Sequence, residues 1–187
     1  MGAIFGTDDV SGLINEVDGE VIISANTTVD GALTSTSYTA SAQSGFSAYR
    51  AAAQSIANET GSVLIFSTEV YDTLGEYDNT TGIFTATVAG TYQCNWSVGL
   101  TTATYEIGEF MYTHILKNNL TTVGNSYYGQ ITRCEAAVTQ GISSVGSCIF
   151  QLAIGDTLRV LAVHNQGAAV NCSTNGRHNY FQVQKIA

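Results

Sequence analysis

The sequence predicts an all-β protein: an antiparallel β-sandwich of jelly-roll topology that carries an extended N-terminal arm. Three observations point there. The 187 residues are 44% hydrophobic and only 11% charged, a balance that fills a core and argues against disorder. Thr, Ser, Gly, Asn, Val and Tyr are abundant, while the Lys, Glu and Leu of surface helices are scarce. The stretch YDNTTGIFTATVAGTYQCNWSV, residues 77–98, alternates apolar with small or polar residues on both sides of one Ala-Gly pair. That is the period of a strand with one face in a core.

Residues 1–44 read as the arm. They are small and turn-rich, with apolar bursts at 21–23 and Leu33 that are too few to offset ordering entropy unless another surface buries them. The side chains expected to make that contact are Ile4, Phe5, Val10, Leu13, Ile14, Val21 and Ile22. A short helix is expected over 10–17, capped by Asp8 or Asp9. Residues 1–49 hold six acids (Asp8, Asp9, Glu16, Asp18, Glu20, Asp30) and no Lys or Arg, within a chain of net charge −9. Phosphate backbones repel such an arm, so nucleic acid is not an expected partner; a basic protein surface is. No run approaches the ~20 apolar residues of a membrane helix, so no membrane partner is expected. Residues 1–20 also lack the basic region and apolar run of a secretory leader.

From residue 45 to 187 the chain reads as one domain. Strand patterns cover 46–52, 62–71, 82–88, 91–102, 110–117, 127–137, 144–154, 157–164 and 180–186, separated by turn signals such as Asn79-Thr80-Thr81-Gly82 and Gly155-Asp156. Residues 83–88 and 91–100 meet at Ala89-Gly90, in a hairpin or a sheet corner. So many short strands imply two packed antiparallel sheets.

The chemistry-bearing residues form no catalytic set. His114, His164 and His178 share no metal-ligand spacing, and the nucleophile-elbow and P-loop patterns are missing. No enzyme activity, cofactor or metal is expected. Cys94, Cys134, Cys148 and Cys172 contain no C-x-x-C pair and read as buried free thiols. Tyr105, Tyr112, Tyr127 and Tyr128 fit either a contact patch or the core.

Read from Phe66, fixed gaps lead to Asp72, Tyr77, Phe84, Gly90, Tyr92, Cys94 and Trp96. This series resembles the signature of the C1q globular domain, the tumour-necrosis-factor-like jelly roll. Phe46-Ser47-Ala48-Tyr49-Arg50 resembles the family's first strand, residues 152–158 (LAIGDTL) its late corner, and Tyr180-Phe181-Gln182-Val183 its last strand. Cys94 departs from the pattern by standing where the family has Phe, and Trp96 is expected to fill part of that space. The resemblance implies a jelly roll with large inward residues at alternate positions, Gly90 giving a tight turn, and a homotrimer. It also raises calcium at Asp72, Asp78 or Asp156, which some relatives hold; turn aspartates otherwise bond their own backbone.

Together these readings lead to an expected role as a non-enzymatic, trimeric structural protein of a virion, most simply that of a bacteriophage. It would decorate or cement the capsid surface, gripping other virion proteins through its arm. The alternative is a receptor- or glycan-binding head, on a phage fibre tip or in an extracellular lectin-like protein.

Overall fold

The computed structural model describes residues 43–122 and 124–187, together with the backbone of two short strands near the N-terminus. The strands, in chain order, begin with β1 (Ile14–Val17), β2 (Glu20–Ile23), β3 (Gly45–Tyr49), β4 (Ser55–Ile56), β5 (Ser62–Val63), β6 (Thr68–Asp72), β7 (Tyr77–Asp78), β8 (Ile83–Thr85) and β9 (Gly90–Gly99). They continue with β10 (Ala103–Tyr105), β11 (Phe110–Lys117), β12 (Ser126–Tyr128), β13 (Thr132–Arg133), β14 (Val138–Gln140), β15 (Ser143–Leu152), β16 (Thr157–His164), β17 (Val170–Asn171) and β18 (Tyr180–Lys185).

β1 and β2 pair antiparallel, from Ile14 opposite Ile23 to Val17 opposite Glu20. The helix expected over 10–17 is therefore wrong for 14–17, and 10–13 lie outside the described residues. The physical reason is in the sequence: INEV and EVII flank Asp18-Gly19, the dipeptide favoured in two-residue hairpin turns. That signal outweighs a lone helix cap.

Two antiparallel sheets make the sandwich. One has five strands in the order β15-β9-β18-β3-β6; the other has seven, β12-β11-β16-β8-β7 with β13 beside β11 and β5 beside β16. Consecutive β8 and β9 lie in different sheets, so Ala89-Gly90 turns a sheet corner and closes no hairpin. Gly90 also makes room: a Cβ there would come within 2.4 Å of the Ala187 carbonyl oxygen and of Lys185. Its absence of a side chain serves the close approach of the last strand.

The span 62–71, expected as one strand, is split between the sheets as β5 and β6. At the crossing, Ile65 donates its N–H to Gln54 Oε1 at 3.1 Å and its carbonyl accepts from the Arg50 guanidinium. Side chains thus satisfy the backbone where no strand does. The expected strand 127–137 is likewise broken into β12 and β13.

The core follows from the alternation on β9. Tyr92, Cys94, Trp96 and Val98 are fully buried, and across the sandwich they face a layer that includes Met111, Ile115, Leu158 and Val160. Phe46 is the hub of an aromatic cluster, with ring centroids 4.3 Å from Tyr77, 5.0 Å from Phe181 and 5.4 Å from Phe84. Each such pair is worth roughly 0.5–1.5 kcal/mol beyond its buried area. Trp96 does not fill the space beside Cys94. Its ring lies across Gly146, where a Cβ would sit 2.0 Å from Trp96 Cζ2, and its Nε1–H donates to Thr113 Oγ1 at 2.7 Å. Cys148 stands opposite Cys94 instead.

Candidate interaction surfaces

The residues that carry the family signature are structural. Phe66, Phe84, Tyr92 and Trp96 are buried, as is Tyr77. Asp72 Oδ2 accepts the Tyr77 N–H at 2.8 Å, and the Tyr77 hydroxyl oxygen accepts the Phe66 N–H at 3.0 Å. Burial pushes the Tyr77 phenol well up, so it stays protonated. Beside them Glu76, itself buried, accepts from Ser44 Oγ at 2.5 Å and from the Thr87 N–H and Oγ1 at 2.7 and 2.6 Å. Tyr92 donates onward to Ser44 Oγ at 2.9 Å. This network anchors the start of β3 to the sheet corner.

The surfaces are what the sandwich offers to a partner, and the two outward sheet faces differ sharply. On the five-stranded sheet, inward Tyr92, Cys94 and Trp96 leave Gln93 and Asn95 facing out, while Ser97 on the same side is buried and donates to the His178 carbonyl oxygen. β15 adds Val145, Ser147 and Ile149, and β18 adds Gln182 and Gln184. No charged side chain points outward from β3, β9, β15 or β18. The polar groups partner one another laterally: Ser147 Oγ to Asn95 Oδ1 at 2.9 Å, Gln182 Nε2 to Ser47 Oγ at 3.2 Å, Thr91 Oγ1 to Gln151 Oε1 at 2.8 Å. Among them Val145 and Ile149 are 46% and 56% exposed. At the far edge, exposed Val70 borders a groove of about 340 Å³ shared with Tyr49, Tyr180 and Gly176.

The seven-stranded sheet turns an aromatic row outward from β11. Phe110 stacks on Tyr112 at 5.8 Å, Tyr112 meets Tyr128 edge-on at 5.5 Å, and Tyr128 stacks on His114 at 5.3 Å. Arg133 lies over the Phe110 ring at 5.5 Å. Leu161 and Val163 of β16 stand opposite His114 and Tyr112. The His114 ring nitrogens are buried and have no hydrogen-bond partner among the described residues. Burial lowers its pKa, which keeps it neutral. Tyr112 and Tyr128 thus belong to a surface patch, whereas Tyr105 is fully buried and its phenol is pushed up to about 12 by burial.

The remaining candidates are occupied locally. Asp78 Oδ1 accepts from Thr80 Oγ1 and from the Thr80 and Thr81 N–H groups, which together bring its pKa to about 2. Burial pushes Asp156 up, but Lys117 Nζ at 2.7 Å, Asn118 and the Ala153 N–H outweigh it and bring it to about 2. Asp78 and Asp156 are thus the backbone-bonded aspartates of turns. Asp72 ends β6; its Oδ2 accepts the Tyr77 N–H, and its Oδ1 is buried with no partner among the described residues. No cluster of three metal-ligating residues occurs among the described residues. His164 is held between the Ile56 carbonyl oxygen and the Gln166 N–H. His178 lines an open cleft at one end of the sandwich with Thr101, Thr102, Ser143 and Ser173.

Of the arm residues, Ile4, Phe5, Val10 and Leu13 lie outside the described residues, and Ile14, Val21 and Ile22 are in the β1–β2 hairpin. The features that sequence reasoning missed are Gly146, the Phe110–Arg133 contact and the exposed pair Val145 and Ile149. Parity along β15 and β11 is the signal that could have found them.

The model of the C1q domain family matches residues 45–181. Among solved structures, the globular domain of zebrafish complement 1qA is similar over 78% of this chain and 98% of its own, at 16% identity and a TM-score of 0.53. Murine APRIL is similar over 77% of this chain and 99% of its own, at 14% identity and a TM-score of 0.54. Eiger TNF from S. frugiperda is similar over 78% and 93%, at 9% identity and a TM-score of 0.55. No curated protein sequence matches the chain.

Proposed function

Because this chain belongs to the C1q domain family, we propose that it is a non-enzymatic, homotrimeric head that works through its surfaces. Its role in this reading is that of a capsid decoration or cement protein on a virus particle, attached by the arm of residues 1–44. One observation carries the self-association: the five-stranded face offers neutral, mutually bonded amides and hydroxyls around exposed Val145 and Ile149. Burying the outward side of β9, β15 and β18 against a copy desolvates no charge, since Glu69 and Arg177 lie at the β6 edge, and depletion of charge marks the cores of stable interfaces. The acidity of residues 1–49, with six acids and no cation, supports a basic docking surface on the particle.

The test mixes capsids stripped of outer proteins with the full-length chain and with a Val21→Asp/Ile22→Asp variant. Saturable binding by the unaltered trimer, with a rise in capsid rupture temperature that the variant lacks, supports cementing. An intact unaltered trimer that does not bind the stripped capsids contradicts it. A second reading, recognition of a receptor or glycan by an extracellular or fibre-tip head, is favoured by the aromatic row Phe110, Tyr112 and Tyr128, since planar rings stack on sugar faces. Under that reading isolated heads block attachment to host cells and Tyr112→Ala heads do not.

A further inference from the structure

All four cysteines are free, but two of them face each other. Cys94 of β9 and Cys148 of β15 are direct cross-strand partners, with both side chains on the core side of the sheet. Their pairing type can be read from the ladder. The Leu100 N–H bonds the Ile142 carbonyl on the β15 side, while the Thr91 carbonyl accepts the Ile186 N–H on the β18 side. Even-numbered β9 residues therefore turn their backbone groups to β15, and Cys94 and Cys148 form a hydrogen-bonded pair.

The type of pair decides the chemistry. Such partners have Cα atoms about 5.5 Å apart, within the span of a disulfide. Their Cβ atoms stand at about 5 Å, beyond the roughly 3.5–4.5 Å of a relaxed bridge. The thiols thus rest reduced and opposite one another, and a bridge between them draws the two strands together. Strain of that kind makes a bridge easily reduced. Access is uneven: Cys94 is fully buried, whereas Cys148 is half-buried on the sheet's terminal strand. Cys134 and Cys172 have no cysteine opposite them in any described strand pair.

We propose that Cys94 and Cys148 are a reversible dithiol–disulfide site, entered at Cys148 by a small-molecule disulfide of the glutathione class and resolved by Cys94. In the first step the Cys148 thiolate attacks one sulfur of the oxidant, a mixed disulfide forms, and one small thiol leaves. In the second, Cys94 loses its proton and attacks Cys148 Sγ; the protein disulfide forms and the second small thiol leaves with its electron pair. The protein dithiol is oxidised by two electrons and one oxidant disulfide is reduced to two thiols. The bridge pins β15 to β9 beneath the neutral outward face.

The test holds the full-length chain in buffers of oxidised and reduced glutathione, quenches with an alkylating agent and maps unreduced peptides by mass spectrometry. The expected product is a Cys94–Cys148 linked peptide that is lost again when reduced glutathione is restored. In Cys94→Ser the mixed disulfide at Cys148 accumulates about tenfold over the unaltered chain, because nothing resolves it. The unaltered chain decides the matter by itself if that variant does not fold. Four alkylated thiols in every oxidising buffer, a linkage through Cys134 or Cys172, or a lasting glutathione adduct at Cys148 beside a free Cys94 overturns the proposal.

Discussion

On the five-stranded sheet, β9 and β15 turn Gln93, Asn95 and Ser147 outward, and these partner one another or stand beside Val145 and Ile149. On the seven-stranded sheet, β11 turns out Phe110, Tyr112 and His114, stacked on Tyr128 and crossed by Arg133. Both faces sit on strands with the same inward alternation over one shared core. The period of a strand therefore dictates what is buried between the sheets and leaves the outer positions free to diverge. One outer face is neutral along β9 and β15, with its polar groups bonded to one another. The other has become aromatic, with a buried imidazole that no described group satisfies.

The comparison breaks most completely where the five-stranded face loses its footing. Gly146→Val puts a side chain into the Trp96 ring, whose Cζ2, Cε2 and Cη2 atoms all lie within 2.6 Å of an added Cβ. β15 can no longer lie flat on β9, and the expected loss is about 3 kcal/mol or more. Denaturant titration measures it, and a midpoint equal to that of the unaltered chain would show that the ring has another place to go.

Next in size is a charge placed on the neutral face. Ser147→Glu leaves the monomer folded but costs the assembly about 2 kcal/mol per buried carboxylate or more. The melting temperature of an oligomer rises with protein concentration, so that dependence is expected for the unaltered chain and is expected to flatten in the variant. On the opposite face, Tyr128→Ala removes ring contacts with Tyr112 and His114 and costs about 1 kcal/mol without changing the concentration dependence.

The smallest effect is one of pH. Burial holds the His114 imidazole below its ordinary value of 6.5, so the unfolded chain binds a proton that the folded chain excludes. Stability from this residue is complete above pH 6.5 and falls as pH drops from 6.5 through the folded value. Asp78 and Asp156, lowered to about 2 from 3.8, contribute only to a separate loss between pH 3.8 and 2. His114→Phe is expected to flatten the first decline and spare the second, as urea midpoints between pH 8 and 2 would show.

The inner half of the molecule was legible in the sequence. Alternation gave β11 and β16 their observed ends, and the series from Phe66 to Trp96 marked residues that do pack together. Local pattern says which way a residue points, though not which sheet holds its strand. That is why 62–71 looked continuous when Arg50 and Gln54 in fact carry the chain across at Ile65. The pairing of 14–17 with 20–23 is hard to read for a different reason: the cap signal at Asp8 or Asp9 competes with the turn signal of Asp18-Gly19. Surface roles were the least legible. Tyr105 and Tyr128 look alike in sequence, yet one is fully buried and the other is 63% exposed. Only the pairing of β12 on β11 reveals that Tyr128 stacks over His114.

The most direct test of the division of labour between the faces is sedimentation of the unaltered full-length chain beside two lysine variants, one per face. Ile149→Lys places the charge on the five-stranded face and Tyr112→Lys on the aromatic row. A trimer is expected for the unaltered chain and for Tyr112→Lys, and a folded monomer for Ile149→Lys. A trimer that survives Ile149→Lys but dissociates in Tyr112→Lys would contradict that division of labour, because the aromatic face would then be the one that holds the copies together.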